Sequence, residues 1–287
     1  MTGEAPHAPA SHWNDQRHWE LMLPPGRPSA AQLTFFRSAL LRAPALSRVA
    51  VLGATPELRD LCVDIGIDET YVFDRNARFV VSMDRLRVYP NAPETVVIGD
   101  WSESLRRFPG VFDAVLSDLT LGNVAYEARD AFLDSVAASL ADGGLYIDKV
   151  LTNAPGYLSL NALDRAYRAA PLNLPSMNSF SSHYFFASEL AETHGVVDVA
   201  RSAAVLRRRF ETEPRLARML DGALRLTTEN GLWHYGRPWP RVRQVYEVSM
   251  AIHDEFLEPE PSPYAGRLSI FVSGRSGRTT FQGGAES

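Results

Sequence analysis

The sequence predicts an α/β fold: a doubly wound, mostly parallel seven-stranded sheet carrying a helical insertion between strands five and six. Three observations predict it. Between Val49 and Leu151, short apolar runs alternate with helical stretches, as in parallel strands buried on both faces by crossover helices. Successive runs end in glycine-bearing or acidic turns, the place where ligands bind in such sheets. After a long helical stretch, Val245–His253 and Leu268–Val272 return to strand character and supply a closing antiparallel pair.

In chain order, residues 1–27 are rich in Pro, His and Trp and end in Leu23-Pro-Pro-Gly26, which reads as a mobile arm or lid. Residues 28–153 form the core. It opens with a helix over Ser29–Arg42, whose Leu33, Phe36, Leu40 and Leu41 fall near one face. The strands are Val49–Leu52, Thr70–Phe73, Thr95–Ile98, Ala114–Leu116 and Leu145–Val150. Helices over Pro56–Ile65, Ala77–Arg87 and Glu127–Leu140 lie between them, the last stopped by Asp142-Gly-Gly144. Residues 154–240 exceed what one crossover needs and read as a helical cap, with residues 241–287 closing the sheet.

Composition excludes several classes. The content, 45% hydrophobic and 22% charged, is that of an ordinary globular protein. A net charge of −5 argues against a protein that coats nucleic acid, which needs a basic surface. Cys62 is the only cysteine, so neither a disulfide framework nor a cysteine zinc cluster is expected, and the seven histidines show no metal-ligand spacing. No apolar run is long enough to cross a membrane, and the N-terminus lacks the apolar core of a signal peptide, so a cytoplasmic protein is expected. Lys149 is the only lysine beside 28 arginines, an imbalance read as genomic codon bias, and its place at the end of strand five reads as incidental.

The most informative stretch is Arg48-Val-Ala-Val-Leu-Gly-Ala-Thr-Pro-Glu-Leu-Arg59. It reads as a buried strand, a tight turn at Gly53 and a helix opening, with Thr55 as cap and Pro56 at the first position. Glu57 adds negative charge where a phosphate-binding turn would present bare amides. Strand two ends in Asp74-Arg75, about twenty residues beyond the glycine, where a carboxylate grips ribose hydroxyls. Strand three ends in Gly99-Asp100-Trp101, an acceptor for an exocyclic amine beside an aromatic face. Strand four ends in Asp118-Leu119. One such aspartate is most simply a loop cap. Their ordered recurrence at successive strand ends favours a ligand site.

This arrangement resembles the class I S-adenosylmethionine-dependent methyltransferases over roughly Arg48–Val150. The resemblance implies that Gly53, Ala54, Thr55 and Glu57 flank the methionine part of the cofactor. It gives Asp74 and Arg75 the ribose, Gly99, Asp100 and Trp101 the adenine, and Asp118 and Leu119 the reacting end. One departure is that Gly53 stands alone where the family's first loop carries several glycines. A nicotinamide oxidoreductase is the competing reading, and so is a relative that binds the nucleoside without turnover. The first is disfavoured because Thr55 and Leu58 stand where a dinucleotide turn needs glycine, and Glu57 would repel a pyrophosphate.

Methyl transfer needs in-line alignment more than covalent help, and a base only where the nucleophile carries a proton. The expected acceptor is a small molecule, methylated on oxygen or nitrogen. Asp118, His183 and Tyr184 are the expected contacts for it or for its proton. His183 and Tyr184 fall in Asn178-Ser-Phe-Ser-Ser-His-Tyr-Phe-Phe186, which, like Leu232-Trp-His-Tyr-Gly-Arg-Pro-Trp-Pro240, mixes aromatics with hydrogen-bonding groups as pocket linings do. The plainer reading makes His183 and Tyr184 core-edge residues, Arg207-Arg-Arg209 a solvated helix face, and Trp13 and Trp19 part of a tail or a homodimer contact.

Overall fold

The run Arg48–Leu52 (β1) lies inside the sheet in the computed structural model, with Val49, Ala50, Val51 and Leu52 wholly shut off from solvent. The structure describes residues 16–24, 26–151, 159–185, 196–227, 232–234, 239–260, 262 and 264–276. The other strands are Glu69–Asp74 (β2), Thr95–Ile98 (β3), Phe112–Asp118 (β4), Leu140–Leu151 (β5), Val196–Asp198 (β6), Leu232–His234 (β7), Met250–Leu257 (β8) and Leu268–Arg275 (β9). Seven of them form one sheet in the order β3-β2-β1-β4-β5-β9-β8. β1 to β5 are parallel, while β9 runs antiparallel to both β5 and β8. The predicted doubly wound sheet is therefore present, with strand order reversing between β1 and β4, the switch point where such sheets bind ligands.

The helices are Gln16–Leu21 (α1), Ala30–Leu40 (α2), Pro56–Asp64 (α3), Ala77–Asp84 (α4), Trp101–Leu105 (α5), Arg129–Ser139 (α6), Leu160–Ala169 (α7), Leu174–Tyr184 (α8), Val199–Arg209 (α9), Pro214–Leu224 (α10) and Trp239–Ser249 (α11). Alternation along the strands sends Ala50, Leu52, Val115 and Tyr146 to one face, against Leu105, Phe132, Val136 and Tyr246 of α5, α6 and α11. Val49, Val51, Leu116 and Ile147 face the other way, against Phe36, Leu40, Leu58 and Cys62 of α2 and α3. The cap has its own core, in which Phe180 and Tyr184 of α8, Phe210 just past α9 and Met219 of α10 meet. No described helix is long and apolar enough to cross a membrane.

The structure corrects two boundaries. Val245–Ser249, expected as strand, ends α11: Val242 and Tyr246 are buried four residues apart on the face toward α6, so the helical period governs. Asp142-Gly-Gly144 does not stop α6, which ends at Ser139, but lies within β5. There the register with β4 shifts between Phe112 and Ala114, Gly143 has φ +77°, and a Cβ on Gly144 would sit 2.8 Å from Phe112 O, so these glycines serve a bulge. The β6–β7 ribbon escaped the sequence reading because runs of three residues carry no periodicity.

α1 packs on α4, with Trp19 buried among Ala54, Val72, Phe79, Val80 and Met83. The arm's Ser11–Asp15, with Trp13, and the cap's Tyr235–Pro238 lie outside the described residues.

Candidate functional site

Because β1 to β4 are parallel, their carboxyl ends open on one edge of the sheet. Gly53 leaves β1 at φ +87°, and its amide donates to Phe73 O of β2 at 2.8 Å. A Cβ there would meet nothing within 4 Å, so the conformation demands glycine and the space over the turn is open. Thr55 holds the N-cap position of α3 and Pro56 begins the helix as expected, but the Thr55 side chain makes no cap hydrogen bond.

Asp74 closes the next strand. Its Oδ1 accepts from Asn76 N at 2.8 Å, and backbone amides of Ala54 and Arg75 also support it. Burial outweighs these bonds and pushes its pKa up to about 6. The exposed Arg75 hydrogen-bonds Asp100 and lies 5.5 Å over the Trp101 ring. Asp100 caps α5 through Ser102 N at 2.9 Å and Glu103 N at 3.3 Å. Partial burial works against its charge, yet Arg75 holds its pKa below the ordinary carboxylate value. Trp101 Nε1 donates to Phe73 O at 2.9 Å, and Gly99 N to Asp74 O at 3.0 Å. The structure thus gathers Gly53, Ala54, Asp74, Arg75, Gly99, Asp100 and Trp101 into one connected edge.

Asp118 ends β4 with its side chain tucked inward. Lys149 Nζ lies 2.5 Å from its Oδ1, and both side chains are shut off from solvent. The lone lysine is therefore not incidental. Burial raises the pKa of Asp118, the Lys149 charge opposes that, and Glu57 adds to the rise. Glu57 Oε1 receives Trp19 Nε1 at 3.3 Å and Arg27 at 2.8 Å. Glu57 Oε2 and Asp118 Oδ2 are buried with no hydrogen-bond donor against them among the described residues. Next along the chain, Leu119 has φ 61°, the one non-glycine residue with positive φ among those described. Its amide is held by Lys149 O at 2.9 Å, and Thr120 Oγ1 donates to Leu52 O at 3.1 Å. Backbone strain thus sits at the switch-point edge of β4.

His183 and Tyr184 belong to the cap. Tyr184 is wholly buried, its ring stacked 4.1 Å from Phe180 and its hydroxyl donating to Asp164 at 2.9 Å. Asp164 also takes Arg209 at 2.6 Å, so the third arginine of the Arg207–Arg209 run is a cap tie, while Arg207 and Arg208 are exposed. His183 Nδ1 lies 2.7 Å from the Tyr167 hydroxyl. Both rings line a groove of about 330 Å³ whose residues all come from α7, α8 and the turn between them. That groove takes nothing from the strand ends, where the open sheet concentrates its polar turns, and we therefore place the site at the strand ends.

Two groups were missed by sequence reasoning. Asp148 of β5 is fully buried near Ser117, Tyr146 and Tyr246; burial pushes its pKa to about 7 against the hydrogen bond that the Tyr246 hydroxyl donates. Arg129, the first residue of α6, is buried beneath the segment that follows Asp118. The available signal was a charge inside an apolar run, Tyr146-Ile-Asp-Lys-Val150. Among the described residues, no group of three or more His, Cys, Asp and Glu is placed to hold a metal ion.

No protein-family description matches the chain, and no curated protein matches it in sequence. Solved structures do match. A protein from Rhodobacter sphaeroides described as a zinc-dependent alcohol dehydrogenase superposes with a TM-score of 0.59 at 16% identity, covering 92% of this chain and 96% of that one. The 1,6-didemethyltoxoflavin-N1-methyltransferase of Burkholderia thailandensis, solved with 1,6-didemethyltoxoflavin and S-adenosylhomocysteine, gives 0.54 at 12% identity, covering 96% and 92%. A SAM-dependent methyltransferase from Methanosarcina mazei gives 0.52 at 12% identity, covering 84% and 96%. With the strand order above, the two methyltransferases show that the fold is that of the class I methyltransferases.

Proposed function

We propose that this chain is a cytoplasmic methyltransferase that uses S-adenosylmethionine to methylate a small molecule on oxygen or nitrogen. The observation that carries the reading is the pair of buried carboxylate oxygens, Glu57 Oε2 and Asp118 Oδ2, which have no donor against them among the described residues and lie beside the open turn at Gly53. A cationic, phosphate-free ligand suits that environment; a pyrophosphate does not. Asp74 would accept the ribose hydroxyls, and Asp100 and Trp101 would hold the adenine, once Arg75 swings off them. Gly53, Ala54 and Thr55 would border the methionine portion. When bound, the cofactor supplies a methyl group on a sulfonium, and the strand ends orient it for in-line attack. Burial raises the pKa of Asp118 and the Lys149 charge opposes that rise, so the pair places polar groups at this end of the site. We assign Tyr184 to cap packing and His183, half-buried against Tyr167, to the α7–α8 groove apart from the strand ends.

Calorimetry with S-adenosylhomocysteine and NADPH tests this. Binding of the first alone, followed by methyl transfer across a panel of phenols, amines and heterocycles, is the expected result. Binding of NADPH alone would return the chain to the oxidoreductase reading that the Rhodobacter description suggests. Nucleoside binding without turnover on any acceptor would make it a non-catalytic relative.

A further inference from the structure

Arg129 carries a charge where two effects oppose it. It is only 2% exposed, and it is the first residue of α6, where the helix dipole disfavours a cation. What offsets this is a set of main-chain carbonyls from two separate parts of the chain. Nε donates to Val124 O at 3.3 Å and Nη2 to Leu121 O at 3.1 Å, both in the segment after Asp118. Nη2 also donates to His234 O, in cap strand β7, at 2.6 Å. The Tyr126 ring covers the guanidinium, its centre 4.2 Å from Cζ, and meets the His234 ring edge-on at 6.3 Å.

The segment so gripped already holds the strained Leu119 and is tied to β1 and β5 through Thr120 and Leu119 N. Arg129 adds the tie to the cap. We propose, resting on the methyl-transfer reading, that Arg129 is a positioning residue: by gathering the carbonyls of Leu121, Val124 and His234 it seats β7 on the loop at the carboxyl end of β4, and so sets the acceptor side of the site. An ordinary stabilising role would spread its effect over the whole fold; a seating role confines it to these two segments.

The test is amide hydrogen exchange on the full chain, with and without S-adenosylhomocysteine. In Arg129→Met the amides of Trp233, His234, Leu121 and Val124 should exchange about tenfold faster or more, the equivalent of losing one charge-assisted hydrogen bond. Amides of β8 and β9 should not change, and S-adenosylhomocysteine should still bind. Arg129→Lys should restore most of the protection, and Tyr126→Leu should loosen Trp233 and His234 while leaving the guanidinium in place. Unchanged exchange at Trp233 and His234, or uniform acceleration across every strand, overturns the proposal. If Arg129→Met does not fold, the Lys and Tyr126→Leu variants decide it, and wild-type exchange in both overturns it. Failure of the wild type to bind S-adenosylhomocysteine overturns the methyl-transfer reading instead, while the exchange data still judge the seating of β7.

Discussion

Lys149 closes on Asp118 at 2.5 Å, joining the ends of β5 and β4 with both side chains shut off from water. Removing one partner of such a pair leaves an unpaired buried charge, whereas replacing both with apolar groups of similar size is often neutral. Lys149→Met should therefore cost about 3–5 kcal/mol, read by urea unfolding. Asp118→Leu combined with Lys149→Met should recover most of that loss. A single-variant cost near that of a surface pair, below about 1 kcal/mol, would show the charge is not confined as the burial indicates.

Gly53 separates a folding cost from a binding cost. At φ +87° an alanine bears left-handed strain of about 1–2 kcal/mol, with no clash to add because the Cβ meets nothing within 4 Å. Gly53→Ala should thus lower stability by that amount. Its Cβ would project over the turn where the ligand is proposed, so affinity for S-adenosylhomocysteine should fall further than stability does. Full affinity in a variant that is merely less stable would move the ligand away from this turn.

Asp74 gives the binding reaction a pH dependence. Burial lifts its pKa to about 6, so it becomes an ionised acceptor only as pH rises through that value. S-adenosylhomocysteine should bind more tightly as pH increases from about 5 to about 7. Asp74→Asn should bind weakly and without that slope. A wild-type affinity flat over this range removes Asp74 from the ribose site.

The core was legible because parallel strands announce themselves as apolar runs, and Gly53, Asp74 and Asp100 stand at turns whose composition is local. Long-range facts were not. Nothing adjacent to Lys149 in sequence names Asp118 as its partner, since the contact is fixed by β4–β5 register. Tyr184 read as a contact for the acceptor because its stretch mixes aromatics with hydrogen-bonding groups, but its stacking on Phe180 follows from helical spacing within α8. Val245 looked like strand because β-branched residues close a helix there immediately before a true strand begins at Met250.

Asp148 makes stability itself depend on pH. Burial raises its pKa from the ordinary 3.8 to about 7, against the hydrogen bond from Tyr246, while the charge of Asp118 adds to the rise. The folded chain then holds a proton that the unfolded chain releases, so the contribution is complete below pH 3.8, declines as pH rises and is gone above about 7. A shift of this size corresponds to at most about 4 kcal/mol. Asp74 titrates over an overlapping range, so the difference between wild type and Asp148→Asn is the informative curve. The asparagine keeps an acceptor for Tyr246 and never ionises. Relative to wild type, it should gain stability steadily in urea unfolding from about pH 4 to about pH 7 and hold a constant advantage beyond. A difference curve that is flat, or that slopes the other way, would mean Asp148 is ionised at neutral pH and that its hydroxyl neighbours solvate the charge.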